Sequence, residues 1–250
     1  MKIHSSLIAL GLTALLSGCQ SLSPEALMQS GAQAFQAATL SKEDVKALSE
    51  QSCAEIDSKS PIAAANSSYS QRLNKIAARV GDNIDGVPAN YKVYLTNDVN
   101  AWAMANGCIR VYSGLMDMMD DDEVAGVLAH EIGHVALGHS RKRLQVAYST
   151  VAVRTAASSA SGIVGTLSKS QLADLGEQLI HAQFSQKQES EADDYAFDQL
   201  KKRGINPYAL VTSFEKLASL QGDHKSSMFD DHPDAKARAQ HIRDRINNGK

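Results

Sequence analysis

Tryptophan occurs once in the 250 residues, and aromatic residues make up only 5% of the chain. No basic or aromatic tract of the kind that grips nucleic acid is present, and the net charge of −3 supplies no positive field to attract one. A nucleic-acid partner is therefore not expected. Long apolar runs are also missing. Leu7 to Leu16 is too short to cross a bilayer comfortably. The stretch 151–167 is rich in Ala, Ser, Gly and Val, but Arg154 interrupts it and Lys169 closes it, so it reads as a loosely packed helical hairpin or a mobile flap. No internal repeat is visible. Cysteines number three, so at most one pair can form within the chain. What remains is an ordinary globular composition, 21% charged and 43% hydrophobic, in a length that suits one substantial core.

Residues 1–18 read as a secretory signal: Lys2, then an apolar run, then small residues. The ending Leu16-Ser17-Gly18-Cys19 resembles the lipobox of bacterial lipoproteins, which implies cleavage before Cys19 and a lipid on that cysteine. Gln20 follows, where lipoproteins kept in the inner membrane usually carry aspartate. The resemblance thus implies an outer-membrane anchor with the protein facing the periplasm. Residues 19–48 read as a tether leading into a short helix, and 49–250 as the folded domain. With Cys19 set aside, Cys53 and Cys108 are one candidate disulfide, which an oxidising periplasm would permit; two free buried thiols are the alternative.

Helical spacing of Leu73, Ile76, Ala77 and Val80 predicts a helix over 67–80. After the turn signals GDNIDGVPAN, the alternation in YKVYL predicts a strand, and CIRVYSG a second one, the two pairing across the loop that contains NAWAMANG. Asp120, Asp121 and Asp122 offer a cap and negative charge to the start of an apolar helix over 123–139. Further helical patterns run over 172–184, 189–203, 207–220 and 233–246.

That apolar helix, EVAGVLAHEIGHVALGH, carries an unexpected load of titratable groups. His130 and His134 are four residues apart, hence on one face and one turn from each other, where both imidazoles can reach a single zinc ion. Glu131 projects roughly 100° around the helix, beside such an ion, where the HExxH pattern gives it the part of general base. Gly133 keeps that turn slim enough for a close neighbour. A catalytic zinc takes three protein ligands and keeps a position open. His139 is a poor third ligand, because it lies five residues past His134 and on another face of the same helix. In ESEAD, Glu189 and Asp193 share a helical face from which Glu191 is turned away. A glutamate on a second helix would complete the pair of histidines.

HExxHVxxxH over 130–139, followed some fifty residues later by ExxAD over 189–193, resembles the HtpX-type zinc metallopeptidases, metallopeptidase family 48. The resemblance implies an α+β, zincin-like fold that is mostly helical, with a small sheet beside the active-site helix. It implies one Zn²⁺ per chain on His130, His134 and Glu189, with Asp193 holding a ligand histidine by its other nitrogen. Residues 100–116 resemble the family's strand and loop beside the cleft, where an edge strand can pair with an extended polypeptide substrate. DHPDAKAR resembles the family's HPxxxxR element and singles out His232 and Arg238. His232 would stabilise the oxyanion or fill the open zinc position in a resting state. Gln186 departs from the pattern, since relatives often carry arginine there; Lys187 is the candidate replacement. The implied activity is peptide-bond hydrolysis in unfolded or damaged envelope proteins, alongside other envelope proteases or assembly factors. The rival is a zinc-stabilised periplasmic chaperone or assembly lipoprotein that binds polypeptides without cutting them. Glu131 favours the enzyme, because a purely structural zinc is closed by four ligands and needs no base.

Overall fold

The computed structural model describes residues 40–155, 167–220 and 228–249. Cys19, the signal segment and the tether up to residue 39 lie outside them, as does the 156–166 part of the expected hairpin or flap. The first helix, α1 (Lys42–Lys59), starts at a reciprocal cap in which Ser41 accepts from the Asp44 amide and Asp44 accepts from the Ser41 amide. Leu40, Val45 and Leu48 are buried. The expected boundary between residues 48 and 49 therefore falls inside a packed helix, because the apolar positions that anchor it begin at Leu40.

Helix α2 (Ser68–Val80) buries the four residues whose spacing predicted it. A small hairpin, β1 (Asn83–Ile84) and β2 (Val87–Pro88), leads into the main sheet of β3 (Asn90–Tyr94), β4 (Ala101–Ala103) and β5 (Cys108–Tyr112). The order is β3–β5–β4. Tyr91 lies opposite Ile109 in a parallel pair, and Trp102 opposite Arg110 in an antiparallel one. The two expected strands do pair, but in parallel. Parallel strands need a crossover, and here the crossover itself supplies the unexpected third strand, β4, from within NAWAMANG. Period-two alternation sends Val93, Ala101, Ile109 and Val111 to one core, and Tyr94, Trp102 and Cys108 to another.

Seven helices follow among the described residues: α3 (Ser113–Met118), α4 (Asp121–Ala136), α5 (His139–Thr155), α6 (Lys169–His181), α7 (Gln186–Lys202), α8 (Tyr208–Ser219) and α9 (Met228–Asp231), with α10 (Ala235–Asn247) closing the chain. The larger core joins the sheet to α2, α4, α7, α8 and α10; the smaller lies between the sheet, α1, α5 and α6. No described helix is long and apolar enough to cross a membrane. The chain is thus a mostly helical α+β protein with its small sheet against α4, as expected.

A Cys53–Cys108 disulfide ties α1 to β5 across 55 residues of sequence. Closing a loop of that length constrains the unfolded chain, so its reduction is expected to lower stability by about 2–4 kcal/mol. Urea unfolding with and without dithiothreitol reads this directly; identical midpoints would deny the bond its role.

Beside the disulfide, Asp57 receives Arg110 in a fork (2.8 and 2.9 Å), Lys92 at 2.7 Å and the Tyr94 hydroxyl at 2.7 Å. Burial alone would raise the Asp57 pKa; these donors outweigh it and hold it at about 2. A carboxylate with a folded pKa below its unfolded one contributes stability that is full above about pH 4 and fades as pH falls toward 2. Asp57→Asn is expected to cost roughly 1–3 kcal/mol at pH 7, because Arg110 is 1% exposed and loses its counter-charge. The cost should shrink in acid, and unfolding curves at pH 7 and pH 3 check it. An equal loss at both would reject the assignment.

Candidate metal centre

Asp120 caps α4, accepting from the Asp122 and Glu123 amides while Glu123 accepts from the Asp120 amide. Three acidic residues then occupy the first turn, where the helix dipole favours them. This strong start lets the chain sustain a helix buried nearly all round, from Glu123 to His134. The close approach of α7 depends on Gly133. A Cβ there would lie 3.1 Å from the Ala192 carbonyl oxygen and 3.2 Å from its Cα. With no side chain in the way, ExxAD lies against HExxH.

His130 Nε2 and His134 Nε2 come to 3.0 Å of each other. Glu189 approaches from α7, with Oε1 3.4 Å from His134 Nε2 and Oε2 3.5 Å from His130 Nε2. His232, just past α9, places Nδ1 2.9 Å from Glu189 Oε1 and 3.3 Å from His130 Nε2. One ligand atom from each of these four buried residues lies within 4.8 Å of the other three. Glu131 is 2% exposed, and its Oε1 has no hydrogen-bond partner; it sits 3.5 Å from His232 Nε2.

The orientation of each ring is set from behind. His130 Nδ1 is 2.8 Å from Asp193 Oδ1, so it donates there and turns the lone pair of Nε2 toward the cluster. Arg238 binds Asp193 by a fork (2.9 and 2.6 Å) and brings Nη1 2.9 Å from Glu189 Oε2. Two imidazole nitrogens and a carboxylate oxygen, all buried and converging within 4.8 Å of one another, fit a divalent cation. The donor set of two nitrogens and one oxygen is one that zinc accepts.

The sequence profile of Peptidase family M48 matches residues 66–246, which carry every one of these groups. The chain belongs to peptidase family M48. It is 61% identical to Metalloprotease LoiP of Escherichia coli (strain K12) over 246 residues, 98% of each chain. It is 56% identical to Metalloprotease YcaL of the same strain over 254 residues, the full length of both. The Beta-barrel assembly-enhancing protease of Yersinia pestis is 30% identical over 189 residues, 71% of this chain and 39% of that protein. This M48 chain is thus a metallopeptidase, and the family implies a divalent metal.

The protonation states suit that family chemistry. Burial, then the nearby His130, holds His134 well below the ordinary histidine range, as a neutral imidazole. Burial opposes charge on Glu189 and Asp193, but His232 and Arg238 hold the first well below the usual carboxylate range, and Arg238 lowers the second. His232 is raised: burial opposes its charge, and Glu189 and Glu131 overcome it.

His139 is not inside the helix of His134. Helix α4 ends at Ala136, Gly138 takes a left-handed φ of 74°, and His139 opens α5. The reversal brings His139 Nδ1 3.0 Å from His134 Nδ1, with its Nε2 3.2 Å from Glu191 Oε2. Glu191, turned away from the cluster as expected, thereby steadies His134 through His139. Gln186 donates to Asp234 at 3.0 Å, and Lys187 reaches Glu191 at 3.7 Å on the surface. So Gln186 gives an uncharged amide donor to the Asp234 carboxylate, in the turn after His232. Sequence reasoning missed Phe184, whose ring stacks on His134 at a centroid distance of 3.6 Å, and Arg143, whose guanidinium lies 3.4 Å over that ring. Neither falls within a metal-ligand motif.

Proposed function

We propose that the protein is a zinc-dependent endopeptidase, anchored in the outer membrane through a lipid on Cys19 and facing the periplasm, that hydrolyses peptide bonds in unfolded or damaged envelope proteins. One observation carries the enzymatic part: a buried Glu131 oxygen that makes no hydrogen bond, beside converging His130, His134 and Glu189 donors. His130, His134 and Glu189 would hold one Zn²⁺ per chain, which would supply a Lewis acid for the scissile carbonyl and acidify the attacking water. Glu131 takes a proton from that water and returns it to the leaving amine nitrogen. Asp193 and Arg238 keep His130 and Glu189 in their poses. His232, whose Nδ1 lies 2.9 Å from Glu189 Oε1, would add a further nitrogen donor to the ion or serve as a donor to the oxyanion. Strand β4 is an edge strand of its sheet and packs on α4, so an extended substrate can run beside it.

The location rests on the lipobox-like Leu16-Ser17-Gly18-Cys19 and on Gln20, and the disulfide accords with an oxidising compartment. The name of the Yersinia pestis relative, a β-barrel assembly-enhancing protease, supports partners among envelope assembly factors. The test is cleavage of an unfolded protein by the purified mature enzyme before and after stripping with 1,10-phenanthroline. Activity should vanish with the metal and return with about one equivalent of zinc per chain. Undiminished cleavage by metal-stripped protein would overturn the zinc assignment. Mass spectrometry of the mature N-terminus decides the anchor, since an unmodified amino acid at residue 19 would exclude it.

A further inference from the structure

A cavity of about 380 Å³ lies beside the metal centre, between α5 and α6. It shares two walls with that centre. Phe184 lines it and stacks on His134, and His139 lines it 3.0 Å from His134. Its charged lining is of one sign: Lys142 and Arg143 reach it, and none of the described lining residues is acidic. Arg143 is the unusual member. Its Nη1 donates to the Leu179 carbonyl at 2.6 Å, while Nε and Nη2 are closed off from solvent without an acceptor. Glu131, Asp231 and Glu189 are near enough to act on Arg143 through space, yet none accepts from these two donors. Buried N–H groups left unpaired are costly. Two on one guanidinium edge form a fork that matches the two oxygens of a carboxylate.

We propose that this cavity is a subsite for a carboxylate of the bound polypeptide, on the His134 flank of the metal centre, with Arg143 as its anchor. The inference rests on the peptidase reading above, since it takes the cavity as the continuation of the substrate channel. The carboxylate is that of a glutamate or aspartate side chain near the scissile bond, or the C-terminal carboxylate of the chain. Both present the same planar acceptor, and Phe184 covers the guanidinium face, so the ligand meets the edge once the side chains that close off Nε and Nη2 move aside.

The experiment measures equilibrium binding, by fluorescence anisotropy, of labelled peptides to the zinc-loaded full-length mature protein carrying Glu131→Gln. One peptide is neutral with an amidated C-terminus. A second set carries a single glutamate at successive positions, and a third peptide is neutral with a free C-terminal carboxylate. At least one acidic peptide is expected to bind roughly tenfold more tightly than the neutral one, and which one does so identifies the source of the carboxylate. In Arg143→Gln that advantage should fall to within about twofold, and Arg143→Lys should restore only part of it. Gln178→Glu leaves Arg143 in place and sets a competing carboxylate on the cavity wall; it should abolish the advantage as well. Equal affinity for all peptides overturns the proposal, as does an advantage that survives both Arg143→Gln and Gln178→Glu. Cleavage of an unfolded protein by the unsubstituted enzyme is followed in parallel. Loss of that cleavage with the binding preference intact would fault the peptidase reading and leave the subsite standing.

Discussion

Replacing Glu131 by glutamine is expected to lower turnover on an unfolded protein by about 10²–10⁴-fold, the usual contribution of a positioned general base, with metal content unchanged. The substitution is nearly isosteric. Glu131 is buried in α4, and its Oε1 makes no hydrogen bond within the protein, so the amide breaks none at that atom and gives up only the charge that faces His232 Nε2 at 3.5 Å. What it loses is the capacity to take a proton and hand it on. The donors proposed for zinc are on His130, His134 and Glu189, and the contacts that orient them come from Asp193, Arg238 and His139; none passes through Glu131. Bound zinc measured by elemental analysis should therefore equal that of the unsubstituted protein, and the thermal midpoint should stay close to it. Activity within about tenfold of the parent would remove Glu131 from the role of base. Loss of zinc together with activity would instead make it part of the metal site.

Much of this centre was legible before any coordinates, and the reason is geometric. An i, i+4 pair of histidines on a helix has only one relative placement, so His130 and His134 needed no tertiary information. The same holds for Glu189 and Asp193 on α7. That the two pairs meet depends on the absent side chain at Gly133, which was read only as room for a close neighbour. His139 escaped because a five-residue separation was read along a continuous helix. Gly138, with a left-handed φ, ends that helix and folds the imidazole back. The parallel pairing of β3 with β5 escaped because alternation specifies which face a residue takes and not which way a neighbouring strand runs. Arg143 and Phe184 escaped for a third reason. Their roles come from a stack between segments forty residues apart, and neither residue type is unusual at its own position.

Arg238→Met is expected to have the largest effect on stability, a loss of about 3–5 kcal/mol in metal-free buffer. Asp193 is fully buried and Glu189 is 2% exposed. Arg238 is the fixed positive charge between them, with Nε and Nη2 on Asp193 and Nη1 on Glu189. Burial taken alone lowers the Arg238 pKa, but Asp193 and Glu189 raise it well above its ordinary value. Methionine fills similar volume and packs on Phe214, over whose ring the guanidinium lies at 4.1 Å, so the loss reports charge and hydrogen bonds more than a cavity. Two buried carboxylates then lose their guanidinium, and Glu189 is left with His232 at 2.9 Å and Asp193 with His130 Nδ1 at 2.8 Å. Zinc supplies compensating charge at Glu189, so the deficit should narrow when the protein is unfolded with the metal present. Lysine is a weak substitute, because a single ammonium on a flexible stem cannot span both carboxylates in the way a planar fork does. Urea unfolding in chelator and in zinc, for Arg238→Met and Arg238→Lys beside the parent, tests the argument. If Arg238→Met unfolds in chelator at the parent's midpoint, Asp193 and Glu189 find their counter-charge elsewhere. If the deficit is the same with and without zinc, Arg238 stabilises the α7–α10 packing and has no part in preparing Glu189 for the metal.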